Sequence, residues 1–121
     1  MTLKDCYAKL EGDYAGVTAR LIREASISKF LIMFLKDTQF NEFHQAYASS
    51  DWENAFRTIH TLKGTSLNLG LSLLASIASD ITELLRNGAP TVDISQLVRQ
   101  LDAEYERTIS VIREYSENPE I

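Results

Sequence analysis

The segment from His60 to Gly64 has the clearest chemical potential in this sequence. His60 carries an imidazole, which acts as a nucleophile when neutral, and Lys63 and Gly64 follow three and four residues later. Residues at these offsets lie side by side on a helix surface, so the three share one patch if the segment is helical. Lys63 would then neutralise oxygens of a group carried by the imidazole. Glycine inside a helix costs about 1 kcal/mol relative to alanine, and free access for another molecule is one reason for Gly64.

The helix expected to carry His60 has an apolar face centred on Ile59. Residues at helical spacing define that face: Trp52, Ala55, Phe56, Ile59, Leu62 and Ser66. At about 100 degrees per residue, His60 lies one step from the centre and borders the core without joining it. Phe56 and Leu67 flank the imidazole along the same border. The pattern therefore predicts an exposed histidine beside apolar side chains.

Apolar periodicity predicts only helices elsewhere in the chain. A short helix from Leu3 to Leu10 should stop at Gly12-Asp13, and a second should begin near Val17. A longer helix opens after Ser26, and a shift in its apolar phase predicts a break near Asp37-Thr38. Residues 1–25 are therefore expected to form an N-terminal helical flap.

The His60 helix should pair with the helix that follows it. The spacing of Ser50 and Glu53 predicts a capping box at its start, and its end is expected at 68–70. The next helix should run from Leu71 to Leu85 and close at Asn87-Gly88. A final helix is expected at 93–117. The short connections favour antiparallel neighbours, so the prediction is an all-α single domain over 1–121, an up-down four-helix bundle at 26–118 with the N-terminal extension across one end.

Composition excludes several classes of function. The net charge of -5 and a pI near 5.0 disfavour binding to nucleic acid. No apolar stretch is long enough for a signal peptide or membrane helix, so we expect a cytoplasmic protein without membrane contact. His44 and His60 are sixteen residues apart and lack the Glu-x-x-His repeats of bundle metal sites, so no metal or other cofactor is expected. Cys6 falls in line with apolar neighbours and is predicted to be buried.

The motif around His60 resembles that of a known family. The run His60-Thr61-Leu62-Lys63-Gly64, with Gly70 six residues later, is similar to the His-x-Leu-Lys-Gly signature of the histidine-containing phosphotransfer (Hpt) domain family. Three flanking stretches also resemble Hpt sequences, namely Asp51-Trp52, Asn68-Leu69-Gly70 and Leu84 to Gly88. The start of the chain resembles small stand-alone Hpt proteins of bacteria, and the polar end of the chain favours a complete protein.

The resemblance implies a function. His60 would be the phosphoacceptor, Lys63 would support the phosphorylated state, and Gly64 would keep the docking surface open. The family often places Glu or Gln on the next helix to hydrogen-bond the imidazole, and Thr82 falls at that position. The implied partners are response-regulator receiver domains, which would supply Mg²⁺, and a hybrid sensor histidine kinase. No Gly-rich nucleotide loop is present, so the protein is not expected to be an enzyme by itself.

The receiver would have to cover the surface on both sides of the imidazole. We therefore expect contacts from Phe56 and Leu67 on the His60 helix, and from three residues of the following helix: Leu71, Ala75 and Ala78. Three functions stay open from the sequence. The protein could pass the group between two receivers, retain it as a phosphate sink or adaptor, or form the phosphoacceptor domain of a histidine kinase. A monomer is expected.

Overall fold

The computed structural model describes residues 1–120, which form α-helices, one short 3₁₀ turn and no β-strand. The all-α prediction is therefore confirmed. The helices, in chain order, are α1 Leu3–Leu10, α2 Tyr14–Leu21, α3 Glu24–Met33, α4 Gln39–Ala48, α5 Trp52–Asn68, α6 Ser72–Leu85 and α7 Ser95–Glu117. Within the same residues, no helix has the length and apolar composition needed to cross a membrane.

Helix α5, which carries His60, lies between α4 and α6, and α6 also packs against α7. Helix α7 in turn contacts α1 and α3, so the N-terminal extension joins the same core. The largest fully buried side chains come from all these helices: Leu3, Tyr7, Ile27, Leu31, Phe43, Ile59, Leu62, Leu74, Ile81, Leu85, Leu101 and Tyr115. This packing holds α5 and α6 side by side with one edge of each towards solvent.

The predicted break before α4 is confirmed. Helix α3 ends at Met33, a 3₁₀ turn covers Phe34–Lys36, and Asp37 has an extended backbone with ψ of 137°. The Asp37 carboxylate accepts a hydrogen bond from the backbone N–H of Gln39 at 2.8 Å. Such a bond satisfies one of the free N–H groups at the start of α4 and fixes the new helix direction.

The start of α5 differs from the predicted capping box. Asp51, and not Ser50, is the N-cap residue, and its carboxylate accepts from the backbone N–H of Asn54 at 3.3 Å. Ser50 has a positive φ of 57° and belongs to the turn from α4. The helix ends at Asn68 as predicted, and Gly70 has a φ of 69° in the turn to α6.

Helices α1 and α2 are anchored to the turn between α5 and α6. The phenol of Tyr7 donates a buried hydrogen bond to the carbonyl of Leu69 at 2.6 Å, and the backbone N–H of Asp13 donates to Gly70 at 2.9 Å. A Cβ atom on Gly70 would lie 2.8 Å from the carbonyl oxygen of Asp13. Gly70 therefore both ends the helix and permits this close approach.

Candidate functional site

His60 lies at the edge of the buried face of α5, as the periodicity predicts. Its neighbour Ile59 is fully buried, whereas His60 is exposed. Within residues 1–120, neither imidazole nitrogen has a hydrogen-bond partner. The ring of Phe56, one turn earlier, lies 5.7 Å from the imidazole between centroids and at 32° to it. The imidazole is therefore free to react on one side and supported by an aromatic ring on the other.

Lys63 and Gly64 leave the space around the imidazole open. Lys63 is half-buried, and no carboxylate in the described part of the chain forms a salt bridge with it. Gly64 is exposed, and a Cβ atom added to it would meet no atom within 4 Å. Packing within the chain therefore gives no reason for glycine at this position. Gly64 therefore leaves open space beside the imidazole.

A shallow groove runs between α5 and α6 beside Lys63. Its volume is about 290 Å³, and it is lined by Lys63, Leu67, Ser72, Ala75, Ser76, Ser79 and Asp80. Leu67 is 52% exposed and presents an apolar surface beside the groove. The structure thus brings Phe56, Lys63, Gly64 and Leu67 onto one exposed face with His60, which we call the His60 face.

The three residues predicted to contact a partner from the helix after Gly70, Leu71, Ala75 and Ala78, are all buried in this structure. Leu71 is 2% exposed and Ala78 is fully buried, so neither presents a side chain to a partner. Ala75 is also only 2% exposed, but it lines the floor of the groove. Small alanines let α6 approach α5 closely, and this contact buries them. The exposed residues of α6 beside the site are polar instead: Ser72, Ser76, Asp80 and Glu83.

Thr82 does not reach the imidazole in this structure. Its side chain is fully buried, and its hydroxyl donates to the carbonyl of Ala78 at 2.7 Å. A hydroxyl has one proton to donate, and within a helix the carbonyl four residues earlier is its nearest acceptor. Within residues 1–120, no hydrogen bond joins Thr82 to His60.

The sequence reasoning missed a charged pair on the other side of His60. The Arg86 guanidinium forms two hydrogen bonds with the Glu83 carboxylate, at 2.7 and 3.2 Å, and its Cζ lies 5.6 Å from the centroid of the Phe56 ring. Arg86 holds the pKa of Glu83 below its usual range, and the charges of Lys63 and His60 lower it further. The Glu-x-x-Arg spacing at the end of α6 was the available signal.

His44, the second histidine, lies elsewhere. It is half-buried on α4, and its Nε2 atom contacts a carboxylate oxygen of Asp102 on α7. The rings of Phe40 and Phe43 pack edge-on against its imidazole. These contacts hold the imidazole of His44 between α4 and α7. The imidazole of His60, in contrast, has no hydrogen-bond partner within residues 1–120.

Comparison with protein families decides the assignment. The family model for the Hpt domain matches residues 30–110 of the 121-residue chain. The chain belongs to the Hpt domain family. No curated protein and no solved structure gives a significant match.

Membership of the Hpt family gives the site its general chemistry. Hpt domains carry out histidine phosphotransfer in two-component and phosphorelay signalling, together with response-regulator receiver domains and kinases. The matched region includes the end of α3, all of α4, α5 and α6, and most of α7, and so contains the whole His60 face. The exposed imidazole of His60 and the side chain of Lys63 both lie within this region.

Proposed function

We propose that this Hpt protein is a phosphorelay intermediate, which accepts a phosphoryl group on His60 from the phosphorylated aspartate of one receiver domain and transfers it to a second receiver. The observation that carries the proposal is the exposed, unbonded imidazole of His60 beside Lys63 and beside a glycine that the chain's own packing does not require. The match to the Hpt family supports the same assignment.

The transfer step is a substitution at phosphorus. The unprotonated nitrogen of His60 attacks, the bond between phosphorus and the aspartyl oxygen breaks, and its electron pair returns to the carboxylate. The ring keeps the proton on its other nitrogen and becomes a phosphorylated imidazolium, which then equilibrates with water. Transfer to the second receiver reverses these bond changes. Mg²⁺ on the receiver and Lys63 on this protein neutralise the phosphoryl oxygens.

The His60 face also explains how one surface serves two receivers in succession. Apolar contact from Phe56 and Leu67 is tolerant of different partners, and the open backbone at Gly64 lets a receiver loop approach the imidazole. The groove beside Lys63 extends this contact onto α6. The protein contributes no ATP chemistry in this scheme and acts as a monomer with a small, transient interface.

The scaffold in this proposal is an up-down bundle. Helices α4, α5, α6 and α7 follow one another, and each packs against the next. The connections are short between α4 and α5 and between α5 and α6, and longer between α6 and α7. Short connections between packed helices favour antiparallel neighbours. This arrangement would keep α5 and α6 rigid while receivers exchange on their exposed edge.

The first prediction tests the acceptor. His60→Gln should abolish phosphoryl acceptance from a phosphorylated receiver and leave the melting temperature nearly unchanged, because the side chain is exposed. The matched control is His44→Gln, which should retain acceptance because His44 lies between α4 and α7. The label should be acid-labile and alkali-stable, as expected for a phosphorus–nitrogen bond. Labelling of the His60→Gln variant at the wild-type level would refute the assignment.

A second receiver added to the purified, phosphorylated protein tests the direction of phosphoryl transfer. Loss of label from His60 with its appearance on the receiver's aspartate supports the relay. Label that stays on His60 with every receiver, or is released only as inorganic phosphate, would instead identify a phosphate sink. The two results are separated by following protein-bound and free phosphate in the same reaction.

A further inference from the structure

A cavity of about 510 Å³ lies where α2, α3 and the end of α5 meet. Most of its lining is apolar and comes from Leu21, Phe30, Met33, Phe34 and Leu69. A cavity of this volume, with mainly apolar walls and a few polar groups, is typical of a site for a small molecule. The proposed relay does not use it.

Two opposite charges line this cavity without pairing. They belong to Arg20 and Asp37, and within residues 1–120 neither forms a salt bridge. One Arg20 nitrogen, Nη2, donates to the carbonyls of Leu67 and Asn68, and the other two guanidinium nitrogens have no partner in this part of the chain. One Asp37 oxygen accepts from the backbone N–H of Gln39 at 2.8 Å, and the other oxygen has no partner among the same residues. The cavity therefore offers one positive and one negative group beside apolar walls.

We infer that this cavity binds a small zwitterion with an apolar body, which is an apolar amino acid or a short apolar peptide. The ligand carboxylate pairs with Arg20, the ligand ammonium group pairs with Asp37, and the apolar side chain lies against Phe30 and Met33. This binding does not require phosphorylation of His60, so the inference is independent of the relay.

Charge complementarity favours a zwitterion over other ligands. A purely apolar ligand would take Arg20 and Asp37 out of water without supplying a partner for either, and desolvation of an unpaired charge costs free energy. A purely anionic ligand would pair with Arg20 but would also face the carboxylate of Asp37, and a purely cationic ligand would meet the reverse conflict. A ligand with both charges satisfies both residues, and the planar fork of arginine suits a carboxylate.

Two exposed side chains of α3 supply the apolar contact. Phe30 and Met33 are 43% and 53% exposed and lie one helical turn apart, so a ligand in the cavity covers apolar surface that now faces water. The flexible thioether of Met33 adapts to ligands of different shape. The buried side chains of Phe34 and Leu69 complete the apolar lining. Apolar burial therefore favours binding, and the two charges select the class of ligand.

Ligands that share a phenyl ring and differ in charge test the inference on the unmodified full-length protein. L-phenylalanine carries both charges, phenylpropionate carries only the negative one, and phenethylamine carries only the positive one. Shifts of backbone N–H signals in NMR titrations give each dissociation constant, which should be on the order of millimolar for L-phenylalanine with its roughly twelve non-hydrogen atoms. L-phenylalanine should bind about 3- to 10-fold more tightly than either analogue. Its shifts should cluster on α3 and on the end of α5.

Charge-removing variants assign each contact. Asp37→Asn keeps an acceptor for the N–H of Gln39 and should weaken L-phenylalanine about 3- to 10-fold without weakening phenylpropionate. Arg20→Gln keeps a side-chain donor and should weaken L-phenylalanine and phenylpropionate but not phenethylamine. The matched control is Lys36→Gln, which removes an exposed charge next to Asp37 that does not line the cavity, and it should leave all three affinities unchanged. Circular dichroism checks the fold of each variant. If Arg20→Gln unfolds, the Asp37→Asn result decides.

The dipeptide leucylphenylalanine distinguishes the two sources of the ligand. Tighter binding than that of L-phenylalanine identifies a peptide, and weaker binding identifies an amino acid. Equal affinities of the three phenyl ligands for the wild-type protein would overturn the inference and indicate apolar contact alone. An L-phenylalanine affinity that Asp37→Asn leaves unchanged, or the absence of saturable shifts at the cavity with millimolar ligand, would overturn it as well. Each of these results leaves the role of His60 untouched.

Discussion

At the scale of single residues, Gly64 is a position at which the His60 helix is less stable than it could be. Glycine is a poor helix former, yet Gly64 lies inside α5 with open space where a side chain would be. A neighbouring glycine, Gly70, is required by a positive φ and by a close backbone approach, and no such constraint applies to Gly64. The helix is therefore less stable at this point than it would be with alanine, and the surface beside His60 is open.

This difference gives a prediction that separates stability from docking. Gly64→Ala should stabilise the protein by up to about 1 kcal/mol, and Gly64→Leu should not destabilise it. Gly64→Leu should greatly slow transfer from a receiver, because the new side chain stands where the receiver must approach. Labelling by phosphoramidate should persist in both variants, since that donor is small. Normal transfer from a receiver to Gly64→Leu would show that Gly64 lies outside the docking surface.

The exposure of His60 could be predicted from the sequence, whereas the hydrogen bonds of Thr82 and of the α5 cap could not. The helical phase around Ile59 was enough to place His60 at the edge of the core. Thr82 was expected at the imidazole from its offset, but its hydroxyl donates within its own helix. Ser50 and Asp51 are both common capping residues, and only the backbone at the turn decides between them.

At the scale of helices, the extension formed by α1 and α2 fixes the end of the His60 helix. Arg20 on α2 donates to the carbonyls of Leu67 and Asn68 at 2.9 and 3.3 Å, and Tyr7 on α1 donates to Leu69. The last carbonyls of a helix have no partner within the helix, so these bonds complete α5 from outside. The extension is therefore part of the scaffold of the site, although it lies outside the region matched to the Hpt family.

Removal of one of these bonds should weaken the whole fold. Tyr7→Phe leaves the carbonyl of Leu69 without its buried 2.6 Å bond and should lower the free energy of unfolding by about 1 to 3 kcal/mol. Tyr14→Phe is the matched control, since its hydroxyl contacts Glu24 at the surface and its loss should change stability little. Urea unfolding followed by circular dichroism measures both. Equal stability of the two variants would mean that the Tyr7 hydrogen bond does not stabilise the α5–α6 turn.

The sequence did not predict how α5 and α6 are rotated relative to each other. Apolar spacing correctly predicted where each helix lies and which face of α5 is buried. For α6, the same spacing placed Leu71 and Ala78 at the border of the site, but close packing buries them. The distance between two helices depends on side chains of both, so a wheel of one helix cannot show it. Glu83 and Arg86 were missed for the same reason.

At the scale of the whole molecule, the core includes two ionisable groups that should remain neutral. Burial, with a smaller contribution from Glu114, raises the pKa of the Cys6 thiol from 9.0 to about 11. Burial also raises the pKa of the Tyr7 phenol, which donates its proton to Leu69. Both groups come from α1, so ionisation of either would place a negative charge between the extension and the bundle.

Stability should therefore fall as the solution becomes alkaline. Between about pH 9 and pH 11 an unfolded chain loses the Cys6 proton while the folded chain keeps it, so the unfolded state binds fewer protons and gains relative stability as pH rises. Below this range both states hold the proton, and the effect vanishes. Urea midpoints at pH 8 and pH 10 should show a larger fall for the wild-type protein than for Cys6→Ala, which has no thiol to ionise. Equal falls would show that the Cys6 pKa is the same in the folded and unfolded chains.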